Sequence, residues 1–158
     1  MSAPLAVIRP SEWEFPLFLH VLGAILLMGA LMVTATALVT AWRREDRVAA
    51  RALTRFGLWS LLVGVVPAFI LMRVAAEWIA SKENFGEDDD PAWLGVGYIT
   101  ADFGAALILV SIVLSIIGLR RLRGEADRSV LGRIVGVIAL LLLVAYAVAV
   151  WAMTGKPD

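Results

Sequence analysis

FPLFLHVLGAILLMGALMVTATALVTAW, Phe15 to Trp42, decides the fold: across the whole stretch a single side chain, His20, can carry charge. At 1.5 Å rise per residue, a helix of this length more than crosses a hydrocarbon slab ~30 Å thick. It reads as a membrane-spanning helix. An ionisable group inside a bilayer is costly, so His20 needs a partner, and the partner has to come from another apolar segment.

Three more such segments follow. Apolar runs cover 56–80, 93–119 and 134–153, which with 15–42 gives four spans in a single integral membrane domain over residues 1–158. Loops this short make successive helices antiparallel neighbours, so the expected fold is all-α, an up-down four-helix membrane bundle. Composition agrees: 61% of the 158 residues are hydrophobic and the mean hydropathy is +0.86, beyond the range of ordinary soluble domains. The N-terminal lead lacks a basic n-region with a short apolar core, so the first helix is expected to stay as an anchor.

The formal net charge is zero, but the charges are segregated. Arg43, Arg44, Arg47, Arg51 and Arg55 crowd the connection after the first span, and Arg120, Arg121, Arg123, Arg128 and Arg133 the one after the third. The second connection instead carries Glu83, Glu87, Asp88, Asp89 and Asp90 against Lys82. The positive-inside rule therefore places both arginine loops in the cytoplasm, and the acidic loop and both termini outside. The six tryptophans fit this register: Trp42 and Trp59 fall at inner boundaries, and Trp13, Trp78, Trp93 and Trp151 at outer ones. Arginines that flank spans are explained by orientation, so no nucleic acid partner is expected. The chain has no cysteine, which removes disulfides, thiolate metal sites and thiol nucleophiles. The run Glu87 to Asp90 reads as a solvated loop rather than a calcium site.

Inside the spans lies a small set of polar residues. Counted inward from the outer boundary tryptophans, His20 is about 10 Å deep, Arg73 about 8 Å, Asp102 about 14 Å and Tyr146 about 8 Å. Each comes from a different helix, and polar groups at such depths face the bundle. We therefore expect an outward-opening polar pocket of His20, Arg73, Glu77, Tyr98, Asp102 and Tyr146. Arg73 has two candidate partners: Glu77 at i+4, with the base in the weaker N-terminal position, and Asp102 across the helices. His20 has three candidate roles: donating to a carbonyl or to Asp102, ligating haem or a metal, and relaying protons. On the first helix, His20, Gly23, Ala24, Leu27, Leu31 and Thr34 share one face. On the third, Gly97, Ala101 and Ala105 form a small-residue ladder for close packing. Pro67 removes a hydrogen bond to the Val63 carbonyl and is expected to bend the second helix.

Two short segments carry a resemblance. At Leu19–Ala30 (LHVLGAILLMGA) and Met153–Pro157 (MTGKP) the chain resembles an uncharacterised bacterial family of four-span integral membrane proteins. Its L-H-x-x-G pattern is similar, more distantly, to copper-resistance D-type proteins and to four-helix membrane protoporphyrinogen oxidases. The first resemblance implies a multi-pass protein of the bacterial plasma membrane. The second implies His20 as a haem b or copper ligand. A second axial ligand for haem would then come from a second copy of the chain, or from Met72 or Met153. No catalytic constellation and no multi-residue metal site is expected. The reading favours a binding, transport-accessory or complex subunit, partnered by lipid and by a second copy or another membrane protein, over a self-sufficient enzyme.

Overall fold

The computed structural model describes residues 14–83, 92–121 and 130–155, and all of these but the short turn after the first helix are helical. Helix α1 runs Glu14–Arg43, α2 Arg47–Trp59, α3 Val66–Glu83, α4 Ala92–Arg121 and α5 Val130–Gly155. A π-helical segment, Ser60–Val65, joins α2 to α3 without a break. The chain is thus an all-α four-helix bundle whose second member is α2, the π segment and α3 in series. Four stretches, Glu14–Arg43, Arg47–Lys82, Gly95–Arg121 and Val130–Gly155, are long and apolar enough to cross a membrane. It is a multi-pass membrane protein. Trp13, Glu87 to Asp90, Arg123 and Arg128, used above to orient the chain, lie outside the described residues.

Hydropathy marks where an apolar run begins, which is not where the helix begins. The arginine-rich stretch after α1, read from sequence as a loop to Arg55, is a turn of only a few residues followed by helix from Arg47. Asp46 starts that helix: its carboxylate accepts from the Val48 N–H at 2.9 Å and the Ala49 N–H at 3.4 Å, satisfying donors that the first turn leaves without partners. Arg47, Arg51 and Arg55 recur every four residues, so their charges stack on one side while Thr54 and Gly57 turn inward and are buried, as helical periodicity requires.

Pro67 also acts differently from a simple kink. Without an N–H it cannot close an α-helical bond to the Val63 carbonyl, and the turn before it widens instead. The Val66 N–H reaches back to the Leu61 carbonyl, a π-helical bond. The widened turn carries Ser60 against α1, where its hydroxyl donates to the Ala30 carbonyl at 3.2 Å. Thr34 completes the cluster, with its hydroxyl 2.8 Å from the same carbonyl and 2.9 Å from the Ser60 oxygen.

Leu27, Leu31, Leu38, Leu61, Val65 and Val135 are the fully buried centre of the core. The face expected on α1 is the one found, with Gly23, Leu27, Leu31 and Thr34 all buried. On α4 the ladder shifts. Its buried column runs Ala101, Gly104, Ile108, Ser111, Ser115 and Gly118, alternating steps of three and four, because a strict step of four drifts off the contact seam of a 3.6-residue helix. Large apolar side chains such as Ile25, Phe103, Leu109 and Val144 project outward around the bundle, the surface that lipid requires. Small residues fill much of the interior, including Ala35, Ala68, Ala75, Ala139 and Ala149, so helix backbones approach closely.

The four seams between neighbouring helices are not equivalent. α1 packs intimately on α3 and on α5, and α4 packs on α5, whereas α3 and α4 barely touch. Aromatic contacts fasten the ends of α1. Phe15 meets Trp78 edge-on with ring centroids 6.2 Å apart, and at the other end Arg133 lies 4.0 Å over the Trp42 ring.

Candidate functional site: an ionic cluster between α3 and α4

The site begins with a glycine. At Gly23 the backbone of α3 comes so near that an added Cβ would stand 2.6 Å from the Met72 nitrogen and 2.8 Å from its Cα. Only hydrogen fits. Three residues earlier, at nearly one turn, His20 reaches across this close approach, and its Nδ1 lies 3.0 Å from the Met72 carbonyl oxygen. A carbonyl can only accept, so this partner assigns the proton of the neutral ring to Nδ1 and leaves the lone pair on Nε2. Of the partners expected for His20, the carbonyl is the one found, and Asp102 is not.

The next residue along α3, Arg73, carries the charge. Its Nη2 is 3.0 Å from Glu77 Oε1, one turn on in the same helix, and 3.3 Å from Asp102 Oδ1 on α4. The guanidinium carbon sits 4.9 Å above the Tyr98 ring, within cation–π range. Both partners that the sequence offered to Arg73 are therefore engaged at once. Tyr98 stands one turn before Asp102, which is why a single guanidinium can meet both. Arg73 is 28% exposed, Glu77 52% and Asp102 70%. One guanidinium between two carboxylates carries a formal charge of −1, and its negative groups face outward from the bundle.

Tyr146 stands apart from this cluster. It is buried, its hydroxyl lies over Gly104 where a Cβ would collide with it, and among the described residues that hydroxyl has no hydrogen-bond partner. It belongs to the α4–α5 packing seam. The hydroxyls of Ser111 and Ser115 on the same face of α4 are likewise buried and, among the described residues, unpartnered. Sequence reasoning passed over both serines, although their i, i+4 spacing was a usable signal. It also passed over the Met72 carbonyl, for which no side chain gives a signal beyond the glycine that admits it.

Among the described residues no three His, Cys, Asp or Glu side chains gather as a metal site. Chemically, the arrangement offers an imidazole Nε2 turned away from the Met72 carbonyl, two exposed carboxylates and the guanidinium they share. Comparison with protein-family models, with curated proteins and with solved structures finds no match.

Proposed function

We propose that this is a bacterial plasma-membrane protein with both termini and the α3–α4 ionic cluster on the extracytoplasmic side. Its role is that of a binding, transport-accessory or complex subunit, which uses the cluster to engage a ligand or partner. The observation that carries the reading is the pair of exposed carboxylates on Arg73, set in a surface that is otherwise apolar along the spans. Charge set among lipid-facing side chains is expensive unless it is used. The segregation of arginines to one set of connections and acids to the other supports the orientation. Because the chain has no native cysteine, single cysteines at Ser81 and Glu45 report sidedness directly. An impermeant thiol reagent on intact cells is expected to label Ser81→Cys and spare Glu45→Cys. The reverse pattern overturns the reading.

A second reading, haem b or copper held by His20, is favoured by one observation: the Nδ1–H bond to the Met72 carbonyl. It fixes the tautomer and turns Nε2 into the available ligand atom, the arrangement that metal-bound histidines use. The resemblance around Leu19–Ala30 points the same way. The chain's only histidine would need a second ligand, and since Met153 packs over Gly97 of α4, Met72 or a second copy of the chain is the better source. Protein purified from haem-replete cells with a Soret band that is lost in His20→Ala would establish this reading. Colourless, metal-free protein would end it.

A further inference from the structure

We infer that the α3–α4 seam is a binding site for a lipid with a primary-ammonium, phosphate-bearing headgroup, of the phosphatidylethanolamine class, seated on Arg73, Glu77 and Asp102. The inference rests on the outward-facing site proposed above and names its ligand.

Depth is the first argument. Counted at 1.5 Å per residue from the inner arginines Arg55 and Arg121, Arg73 and Asp102 stand about 27 and about 28.5 Å up, near the far boundary of a ~30 Å slab. That is close to headgroup level, and shallower than the count inward from the outer tryptophans places them, because α4, at 30 residues, is longer than the slab is thick. The second argument is the company Asp102 keeps. Its neighbours along the outer face of α4 are Ile99, 61% exposed, and Phe103, 70% exposed, so the carboxylate emerges among side chains that face acyl chains. On the α3 side, Ile70 and Val74 are exposed too. Between these two apolar banks the backbones of α3 and α4 approach closely at few points, so we place the acyl chain along this seam, below the charges.

Charge complementarity selects the headgroup. The cluster carries an excess negative charge on Glu77 and Asp102, whose remaining lone pairs accept hydrogen bonds from an –NH3+ group. Both carboxylates meet the guanidinium at Nη2, and a guanidinium carries five N–H donors, more than two carboxylate oxygens take up, so it can also turn donors to a phosphate. A phosphoethanolamine zwitterion presents both charges on one short linker. Choline does not fit as well: its quaternary nitrogen has no N–H to donate, and the aromatic face that would attract it, that of Tyr98, already lies under Arg73. Phosphatidylglycerol brings no cation to a site of negative charge. A second copy of the chain, docked here across a two-fold axis, would set one acidic cluster against its twin.

Native mass spectrometry of the full chain in detergent tests this, with phosphatidylethanolamine, its N-methylated derivatives, phosphatidylcholine and phosphatidylglycerol of identical acyl chains titrated separately. Phosphatidylethanolamine is expected to bind about tenfold more tightly than phosphatidylcholine, the value of one charge-assisted hydrogen bond, with affinity falling at each N-methylation. Asp102→Asn is expected to erase the preference. If that variant does not fold, Glu77→Gln is read in its place and is expected to reduce the preference. Equal binding of the ethanolamine and choline lipids, tightest binding of the glycerol lipid, or an undiminished preference in the variant overturns the proposal. The measurement does not depend on sidedness, so a failed thiol-labelling pattern and a failed lipid preference strike different claims.

Discussion

Gly23→Ala is the sharpest test of the packing that builds the site. The new methyl would lie 2.6 Å from the Met72 nitrogen, 2.8 Å from its Cα and 3.0 Å from its Cβ, where ordinary contacts are about 3.5–4.0 Å. The obstacle is mainly backbone, so no rotamer change relieves it, and α3 has to retreat by roughly 1 Å. Overpacking of this kind costs about 1–3 kcal/mol, and the retreat stretches the 3.0 Å His20–Met72 bond beyond hydrogen-bond length, at about 1 kcal/mol more. Against this, alanine is a better helix former than glycine by about 1 kcal/mol. The net expectation is a loss of about 1–3 kcal/mol. Gly29→Ala, farther along the same helix and on a different face, is the control: nothing stands within 4 Å of its added Cβ, so it is expected to be neutral or stabilising. Unfolding both variants in mixed micelles by titration with a denaturing detergent, followed by circular dichroism, gives the comparison. If Gly23→Ala unfolds at the same midpoint as Gly29→Ala, the close approach of α1 and α3 is wrong, and with it the placement of His20.

Three further outcomes are expected. Arg73→Gln and Asp102→Asn are each expected to destabilise the bundle, and the double variant by less than their sum, with a coupling of about 1–2 kcal/mol, since the exposure of Asp102 limits the value of the pair; strict additivity in the same unfolding assay would contradict the ion pair. Tyr146→Phe removes a buried hydroxyl that has no partner among the described residues, so it is expected to be neutral or stabilising by up to about 1 kcal/mol, and to make Gly104→Ala less costly than it is in the parent chain. Asp46→Ala deletes the cap of α2 and is expected to cost about 1 kcal/mol, read as lost helicity and a lower unfolding midpoint, while Glu45→Ala, without a capping role, leaves both unchanged.

Much of the architecture was legible because a bilayer leaves a chain few options: four long apolar runs can only be helices, and short connections make them antiparallel neighbours. The inward face of α1 was legible for a related reason, since small and apolar residues recur on it with helical period from Gly23 to Thr34. Three features were not. Helix α2 begins at Arg47 because a capping aspartate and a stacked arginine stripe permit it, and hydropathy is blind to both. The π segment before Pro67 is one of several ways to accommodate a missing N–H, and the choice is made by Ser60 and Thr34 on two different helices. Within the site, Arg73, Glu77, Tyr98 and Asp102 could be brought together from helical spacing and charge. Tyr146 could not be excluded that way, because depth alone does not tell which seam a side chain enters. The partner of His20 is a backbone carbonyl, and a sequence has no symbol for that.

The unequal seams carry a consequence for motion. Three of them are closed by interdigitated apolar and small side chains, whose dispersion contacts are numerous and individually weak. The fourth, between α3 and α4, has little of this packing, and its outer end is joined by Arg73 with Asp102 and Tyr98. Local opening free energy follows local contact density, so the outer half of α4 is expected to exchange its amide hydrogens faster than the middle of α1, which is packed on two sides. Loss of the ionic link should then act locally. In Asp102→Asn, exchange is expected to accelerate across Gly95–Gly104 while Ser111–Arg121, held against α5 and the α2 end of the bundle, keeps its protection. Hydrogen exchange with mass spectrometry in nanodiscs resolves these segments. Uniform acceleration along all of α4 would mean that the helix opens as one unit and that the ionic cluster is not its outer latch. Acceleration confined to the outer half, and reversed in the parent chain when phosphatidylethanolamine replaces phosphatidylcholine in the disc, would tie the occupant of the seam to its closure, because a ligand that bridges both helices stabilises the closed arrangement by its own binding free energy.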